Sequence, residues 1–341
     1  MTGPYQEDTT MMEADAYGQS VEVTWPLGPT TVYGTVVMPE GAGPFPGVVL
    51  VAGSGPMDRD WNSPLLPGTN GSGRLLAGAL GRAGFASLRY DKRASGPHVR
   101  ETIPLLIGAI TMQSHVDELA GAVRTLAEQQ GVSRQRIFAL GNSEGTLHAL
   151  NYQANNPDIP LAGLVLTGPP GRPVGAVARS QLAAQAMSVP NGDQLLGLYD
   201  AAVARFLAGE PAAPDPALPE SVRILIASLE SPYNLPFARE LWTADAAAPL
   251  KEVRVPVLIL IGKKDLQVDW RADGEPLEHA AAGRTDVSFL FPEEANHVLK
   301  HEPRPRDELV QGEAMQRYNA ADAILDPETV AAIVAWLTAR A

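Results

Sequence analysis

The chain has 341 residues, 45% hydrophobic and 19% charged, which is enough apolar material for a sizeable core and no signature of global disorder. A formal net charge of −13 works against nucleic acid or an anionic membrane surface as partner, since both call for lysine and arginine, and it favours solubility instead. No cysteine is present, which excludes disulfides, thiolate nucleophiles and cysteine-ligated metal centres.

The N-terminal stretch MTGPYQEDTTMMEADAYGQS is acidic and lacks a basic region followed by an apolar run, so no signal peptide is expected there. No uninterrupted apolar stretch approaches the ~20 residues of a membrane helix. Together these features predict a soluble, cytoplasmic protein. VEVTW and TTVYGTVVMP then flank PLGP and predict an antiparallel hairpin. GVVLVAG is a continuous β-branched run, as expected for a strand buried on both faces. FASLRY, RIFALG, LAGLVLTG and VPVLILIG repeat the pattern, and VSFLF is a shorter sixth run.

Helical patterns lie between these runs. From Ser114, the spacing puts Val116, Leu119, Val123 and Leu126 on one stripe, with Gly131 placed to end the helix. The last stretch, DPETVAAIVAWLTARA, predicts a helix capped by Asp326, with Pro327 at its first position and Glu328 in its first turn. Strands alternating with helices predict an α/β fold with a mostly parallel sheet. From about 171 to 250 no buried-strand run occurs, and that length far exceeds an ordinary connection. The expected organisation is an N-terminal hairpin segment (1–45) joined to the core, an α/β core (46–170 and 251–341) and a helical cap insertion (171–250).

Parallel α/β sheets bind ligands beyond the carboxyl ends of their strands. RIFALG ends in GNSEG, followed by a stretch that can be helical. Strand, G-x-S-x-G, helix is the context of a nucleophile elbow, in which the serine sits on a strained turn above the sheet. Gly141 and Gly145 leave room for strand and helix to pass closely, and Ser143 is the expected nucleophile. A serine hydroxyl needs a base. His297 follows VSFLF at the sheet's active end and is the expected one. His148 is placed five positions along the next helix, pointing away; His115 and His279 lie in helical stretches; His98 follows a strand loop. His301 is four residues past His297, but no HExxH carboxylate accompanies it, so it is read as a surface residue.

The base needs an acid. VPVLILIG ends at Gly262, and Asp265 in the turn that follows is preferred over Asp269, whose expected role is in the loop or a cap. The chain order is then serine, aspartate, histidine, as in α/β-hydrolases. An oxyanion needs backbone donors. These are expected from the N–H of Glu144, next to the nucleophile, and of Ser54, between Gly53 and Gly55 in the loop after GVVLVAG.

VVLVAGSGPMDRD, LRYDKR, ALGNSEG, PVLILIGKKD and ANHV, in that order, resemble the serine esterases of the α/β-hydrolase superfamily. The chain is most similar to bacterial carboxylesterases with a GSGPxDRD-like oxyanion loop, a group often labelled serine-aminopeptidase-like. The resemblance covers residues 46–168 and 251–301. Carried onto matching positions, it implies Ser143 as nucleophile, Asp265 as acid, His297 as base, and Ser54 with Glu144 as oxyanion donors. The chain departs from RYDKRGxGxS at Ala94, where glycine is expected, and carries Ala52 where histidine is common. Arg59, Asp60, Asp91 and Arg93 are expected as one charge cluster, either bracing the oxyanion loop or solvated.

Such a constellation performs acyl transfer, most simply hydrolysis, with no metal or organic cofactor. The first expectation is a carboxylesterase acting on small uncharged short- to medium-chain esters. Trp242, Tyr233, Leu235 and Phe237 are candidates for an acyl pocket, set against helix packing. The alternatives are an amidase or aminopeptidase-like enzyme, with Glu210, Glu220, Glu230 or Glu240 anchoring a charged terminus, and a catalytically silent binding module.

Overall fold

Eight strands assemble into one sheet in a computed structural model that describes residues 18–341 apart from Ser188. The acidic N-terminal stretch, up to Tyr17, lies outside the described residues. The strands are β1 (Gln19–Leu27), β2 (Thr30–Met38), β3 (Phe45–Val51), β4 (Ala86–Tyr90), β5 (Val132–Asn142), β6 (Gly163–Thr167), β7 (Val257–Leu260) and β8 (Val287–Leu290). Their order across the sheet is β1-β2-β4-β3-β5-β6-β7-β8. The first two strands form the expected antiparallel hairpin, β2 also runs antiparallel to β4, and every later pairing is parallel.

The hairpin is tighter than PLGP implies. Leu27 pairs with Thr30, so only Gly28 and Pro29 make the turn. Pro26 is accommodated in β1 because that strand forms the sheet edge, where a missing N–H costs no ladder bond.

The apolar runs are continuous because both faces of the sheet are covered. Val49 and Val51 point to one side, against Leu119, Val123 and Leu126 of the Met112–Ala127 helix. Val48 and Leu50 point to the other, against Leu76 and Leu80 of the Ser72–Arg82 helix. The Met112–Ala127 helix starts two residues before Ser114, because Thr111 forms a capping box with Ser114. It ends at Glu128, and Gly131 turns the chain into β5 instead. The final helix, Pro327–Thr338, has the expected cap, with Asp326 accepting from the Thr329 N–H.

Among the described residues, five helices and no strand lie between β6 and β7: Val174–Ala186, Gly192–Leu207, Glu220–Leu229, Phe237–Thr243 and Ala247–Leu250. They enclose an apolar cluster of their own, with Tyr199, Phe206, Val222, Ile226 and Trp242 buried in it. Hydrogen bonds tie this segment to the core: Phe237 N–H donates to Ile110 O at 3.0 Å, and Met112 N–H donates to the Glu240 carboxylate at 2.6 Å. No described helix is long and apolar enough to cross a membrane.

The Ala94 departure has a conformational consequence. Its φ is 57°, in the left-handed region where a Cβ is strained. Ala94→Gly should therefore stabilise the fold by about 1 kcal/mol, read as a higher denaturant midpoint at unchanged m. A midpoint that stays put or falls would mean the loop tolerates the side chain without strain.

Candidate active site

The turn between β5 and the Glu144–Ala154 helix is one residue, Ser143, at φ 53° and ψ −122°. Two glycines make the turn possible. A Cβ on Gly141 would sit 2.6 Å from the Gly145 carbonyl oxygen, and one on Gly145 would run into the Val51 carbonyl of β3. The strained residue is held from both sides. Its N–H donates to Thr167 O at 2.8 Å, and its carbonyl accepts from the Thr146 N–H at 3.0 Å and hydroxyl at 2.6 Å.

Asp265 is 1% exposed just past β7, and its Oδ2 accepts from His297 Nδ1 at 2.8 Å. Oδ1 accepts the N–H groups of Gln267 at 2.7 Å and Val268 at 2.9 Å. The carboxylate is thus locked in place, and with Nδ1 donating, the neutral imidazole presents Nε2 as an acceptor. Asp269 is turned elsewhere: it caps its own turn through Arg271 and Ala272 and pairs with Arg306. Arg306 also donates to the carbonyls of Lys263 and Asp265, an anchor from the C-terminal region with no local sequence signal.

The strand that carries Ser143 and the Asp265–His297 pair meet. Asn142, the residue before Ser143, donates to His297 O at 3.0 Å and to Thr167 Oγ1 at 3.1 Å. Gly168, just past β6, lies against the pair: a Cβ there would be 3.3 Å from both Asp265 Oδ2 and His297 Nδ1. The Ser143 hydroxyl makes no hydrogen bond among the described residues. Contacts between nucleophile and base commonly tighten only around a substrate. The loop after β3 passes alongside, since a Cβ on Gly53 would stand 3.2 Å from Ser143 Cβ. Ser54 follows it and is exposed.

The expected four-residue charge cluster divides into separate pairs. Arg59 donates from its side chain to Asp91 Oδ2 at 3.2 and 2.7 Å and from its backbone to Asp91 Oδ1 at 2.9 Å. It also reaches Thr35 and Glu22 of the hairpin. Arg89 pairs with Asp60 at 2.7 Å. Arg93 leaves the cluster and turns inward, its Nε 3.3 Å from Glu118 Oε1.

That inward turn belongs to a buried polar group beneath the elbow. His148 does not simply point away: its Nε2 lies 3.0 Å from Glu144 Oε1. His115 Nδ1 lies 2.8 Å from Glu118 Oε2, and the two imidazoles are 4.8 Å apart. Burial lowers His115 to about 3, with Lys92 adding to the effect, and lowers His148 to about 4 against the bond to Glu144. Both rings are neutral at neutral pH. Burial pushes Glu118 up to about 8, opposed by Arg93 and Lys92. Burial also pushes Glu144 up, but the Lys92 ammonium and the His148 bond outweigh it, leaving its carboxyl well below the usual range. His115, Glu144 and His148 bring metal-type ligand atoms within 4.8 Å of one another, yet Lys92 Nζ already donates to Glu144 there.

The remaining candidates disperse. His301 is not a free surface residue; it is half-buried between Glu294 and Asp326, each at 3.3 Å. His98 stacks on Tyr33 at 3.8 Å. Trp242 is buried in the apolar cluster of the helical segment and Leu235 packs against it, so helix packing accounts for both. Tyr233 is 42% exposed. Phe237 sets its ring edge on His115 at 4.7 Å.

Known proteins are similar to this chain in sequence and in fold. Esterase EstD of Thermotoga maritima is 30% identical over 269 residues, covering 78% of this chain and 57% of that protein. The chain thus spans little more than half the length of that curated relative. Among solved structures, a proline iminopeptidase from Mycobacterium smegmatis superposes with a TM-score of 0.55 at 16% identity, over 94% of this chain and 98% of that one. The Pyrococcus furiosus esterase Pf2001 does so with a TM-score of 0.55 at 15% identity, over 100% and 95%. At such identities the superpositions show the fold alone. A sequence profile of the alpha/beta hydrolase family matches residues 48–311, from within β3 to beyond the His297 loop, and the chain belongs to that family.

Proposed function

We propose that the protein is a serine carboxylesterase that cleaves small, uncharged esters with short- to medium-length acyl chains. Ser143 attacks the ester carbonyl carbon while His297 Nε2 takes its proton, and Asp265 stabilises the resulting imidazolium. The N–H groups of Ser54 and Glu144 receive the oxyanion. The tetrahedral intermediate collapses, the C–O bond to the alcohol breaks, and His297 returns the proton to the leaving oxygen. Water, deprotonated by the same imidazole, then releases the acid and restores Ser143. The helical segment 171–250 serves as a cap over the carboxyl end of the sheet.

The observation that carries this reading is the 2.8 Å Asp265–His297 bond, fastened through Asn142 to the strand that presents a left-handed Ser143. The relative named as an esterase supports the same chemistry. Two of the four carboxylates weighed as amine anchors already hold backbone: Glu230 accepts the Ala212 N–H at 2.8 Å, and Glu240 accepts that of Met112. This favours ester over aminoacyl substrates.

A chain-length series of p-nitrophenyl esters, run beside aminoacyl p-nitroanilides on the same enzyme, tests it. Faster ester turnover, best at short or medium chains, is expected. Faster anilide turnover would transfer the enzyme to the peptidase class.

A further inference from the structure

We propose that Lys92 is a positioning residue that holds both oxyanion donors from behind, with the Glu144 carboxylate as its counterion. The proposal rests on the esterase reading and adds to it a residue outside the triad.

Lys92 lies two positions past β4, and its side chain is 7% exposed. An ammonium that deep is tolerable only when it is paired and hydrogen-bonded. Its Nζ makes two contacts that matter for catalysis. One is with Gly53 O at 3.0 Å, and the other is with Glu144 Oε1. These two acceptors belong to the loop that passes Ser143 and to the first residue of the helix that follows it.

The first contact sets a direction. The Gly53–Ser54 peptide is trans, like every described peptide bond except Gly43–Pro44 and Leu235–Pro236. In a planar trans peptide the carbonyl and the following N–H point opposite ways. Lys92 holds the Gly53 carbonyl on the buried side, so the Ser54 N–H faces away from Lys92. Without that bond the Gly53–Ser54 plane is free to rotate, since Gly53 places little steric restriction on it.

The second contact fixes the other donor. Glu144 is the first residue of its helix, and its side chain is gripped by Lys92 and by His148 one turn further on. Its backbone N–H is therefore anchored through its own side chain as well as by the helix. The neutral His115 and His148 rings leave Lys92 as the charge that balances Glu144. Phe237, from the Phe237–Thr243 helix, closes the site with its ring 5.8 Å from Lys92 Nζ.

The test compares wild type, Lys92→Met, Lys92→Gln and Lys92→Arg by steady-state hydrolysis of a short-chain p-nitrophenyl ester. Inhibition by an alkyl trifluoromethyl ketone, which forms a tetrahedral adduct with a serine nucleophile, is measured alongside thermal melting. Loosening oriented donors by about 1 Å costs on the order of 100-fold. Folded Lys92→Met should lose about that factor in kcat and the same factor in ketone affinity, with KM changed only a few-fold. Lys92→Arg, which retains charge and donors, should recover part of both losses. If Lys92→Met does not fold, Lys92→Gln decides, since it keeps a donor for Gly53 O without the charge and should show the same paired losses to a smaller degree. A folded variant with wild-type kcat and ketone affinity overturns the proposal, as does a loss confined to KM or to melting temperature. A wild-type enzyme that neither hydrolyses the ester nor binds the ketone removes the esterase reading and this proposal together. Active wild type with indifferent variants removes only this one.

Discussion

Asp265→Asn should lower kcat for ester hydrolysis on the order of 10⁴-fold and leave the protein folded. The carboxylate accepts three hydrogen bonds, two from backbone N–H groups at Oδ1 and one from His297 at Oδ2. An asparagine can satisfy the loop only by putting its oxygen at the Oδ1 place. Its NH2 group then faces His297 Nδ1 and donates to it, which moves the ring proton to Nε2. A protonated Nε2 cannot take the Ser143 proton. The opposite amide orientation sets an NH2 group against two N–H donors and loses the turn. The expected effect therefore falls on kcat, with KM little changed, in a protein whose melting temperature stays within a few degrees of wild type. Wild-type kcat in folded Asp265→Asn would place the acid elsewhere in the chain.

Asp91→Ala is expected to cost about 3 kcal/mol of stability and to slow turnover at the same time. Asp91 is nearly fully buried and receives both the guanidinium and the backbone N–H of Arg59. Removing one partner of such a pair strands the other, which costs ~3–5 kcal/mol when both are deeply buried. Arg59 is partly exposed and keeps Thr35 and Glu22, so the lower end applies. The effect on turnover has a separate origin: the Asp91 bonds fix the end of the loop that begins at Gly53, beside Ser143. Chemical denaturation and steady-state kinetics on one preparation check both parts. Full stability with full turnover would mean that the pair is solvated and braces nothing.

The parts of the molecule legible in the sequence are those written by local physics. The continuous apolar runs mark strands covered on both faces, and the helix and sheet periods separate cleanly. G-x-S-x-G between strand and helix locates a turn that only glycines at 141 and 145 can pass. Asp265 and Asp269 differ in distance from the strand end, and in the structure Asp265 bonds His297 while Asp269 caps its own turn.

What escaped depends on residues distant in the chain that the crossovers bring together. Lys92, Arg93, His115, Glu118, Glu144 and His148 come from three segments and meet only once the Met112–Ala127 helix packs beside the elbow helix. No local pattern distinguishes His115 from a solvated histidine on a helix. The apolar character of Trp242 and Leu235 does not say whether a residue faces a substrate or a neighbouring helix, and both join the apolar cluster of the helical segment. Ala94 departs from a glycine-bearing pattern, and its left-handed φ gives the reason that pattern prefers glycine.

Mass spectrometry of the protein after reaction with a fluorophosphonate probes the nucleophile itself. One adduct per chain is expected, on the peptide carrying Ser143, absent in Ser143→Ala and slowed severely in Asp265→Asn. A folded wild-type chain that remains unmodified, or one labelled on another residue and still labelled in Ser143→Ala, would refute a Ser143 nucleophile and the chemistry built upon it.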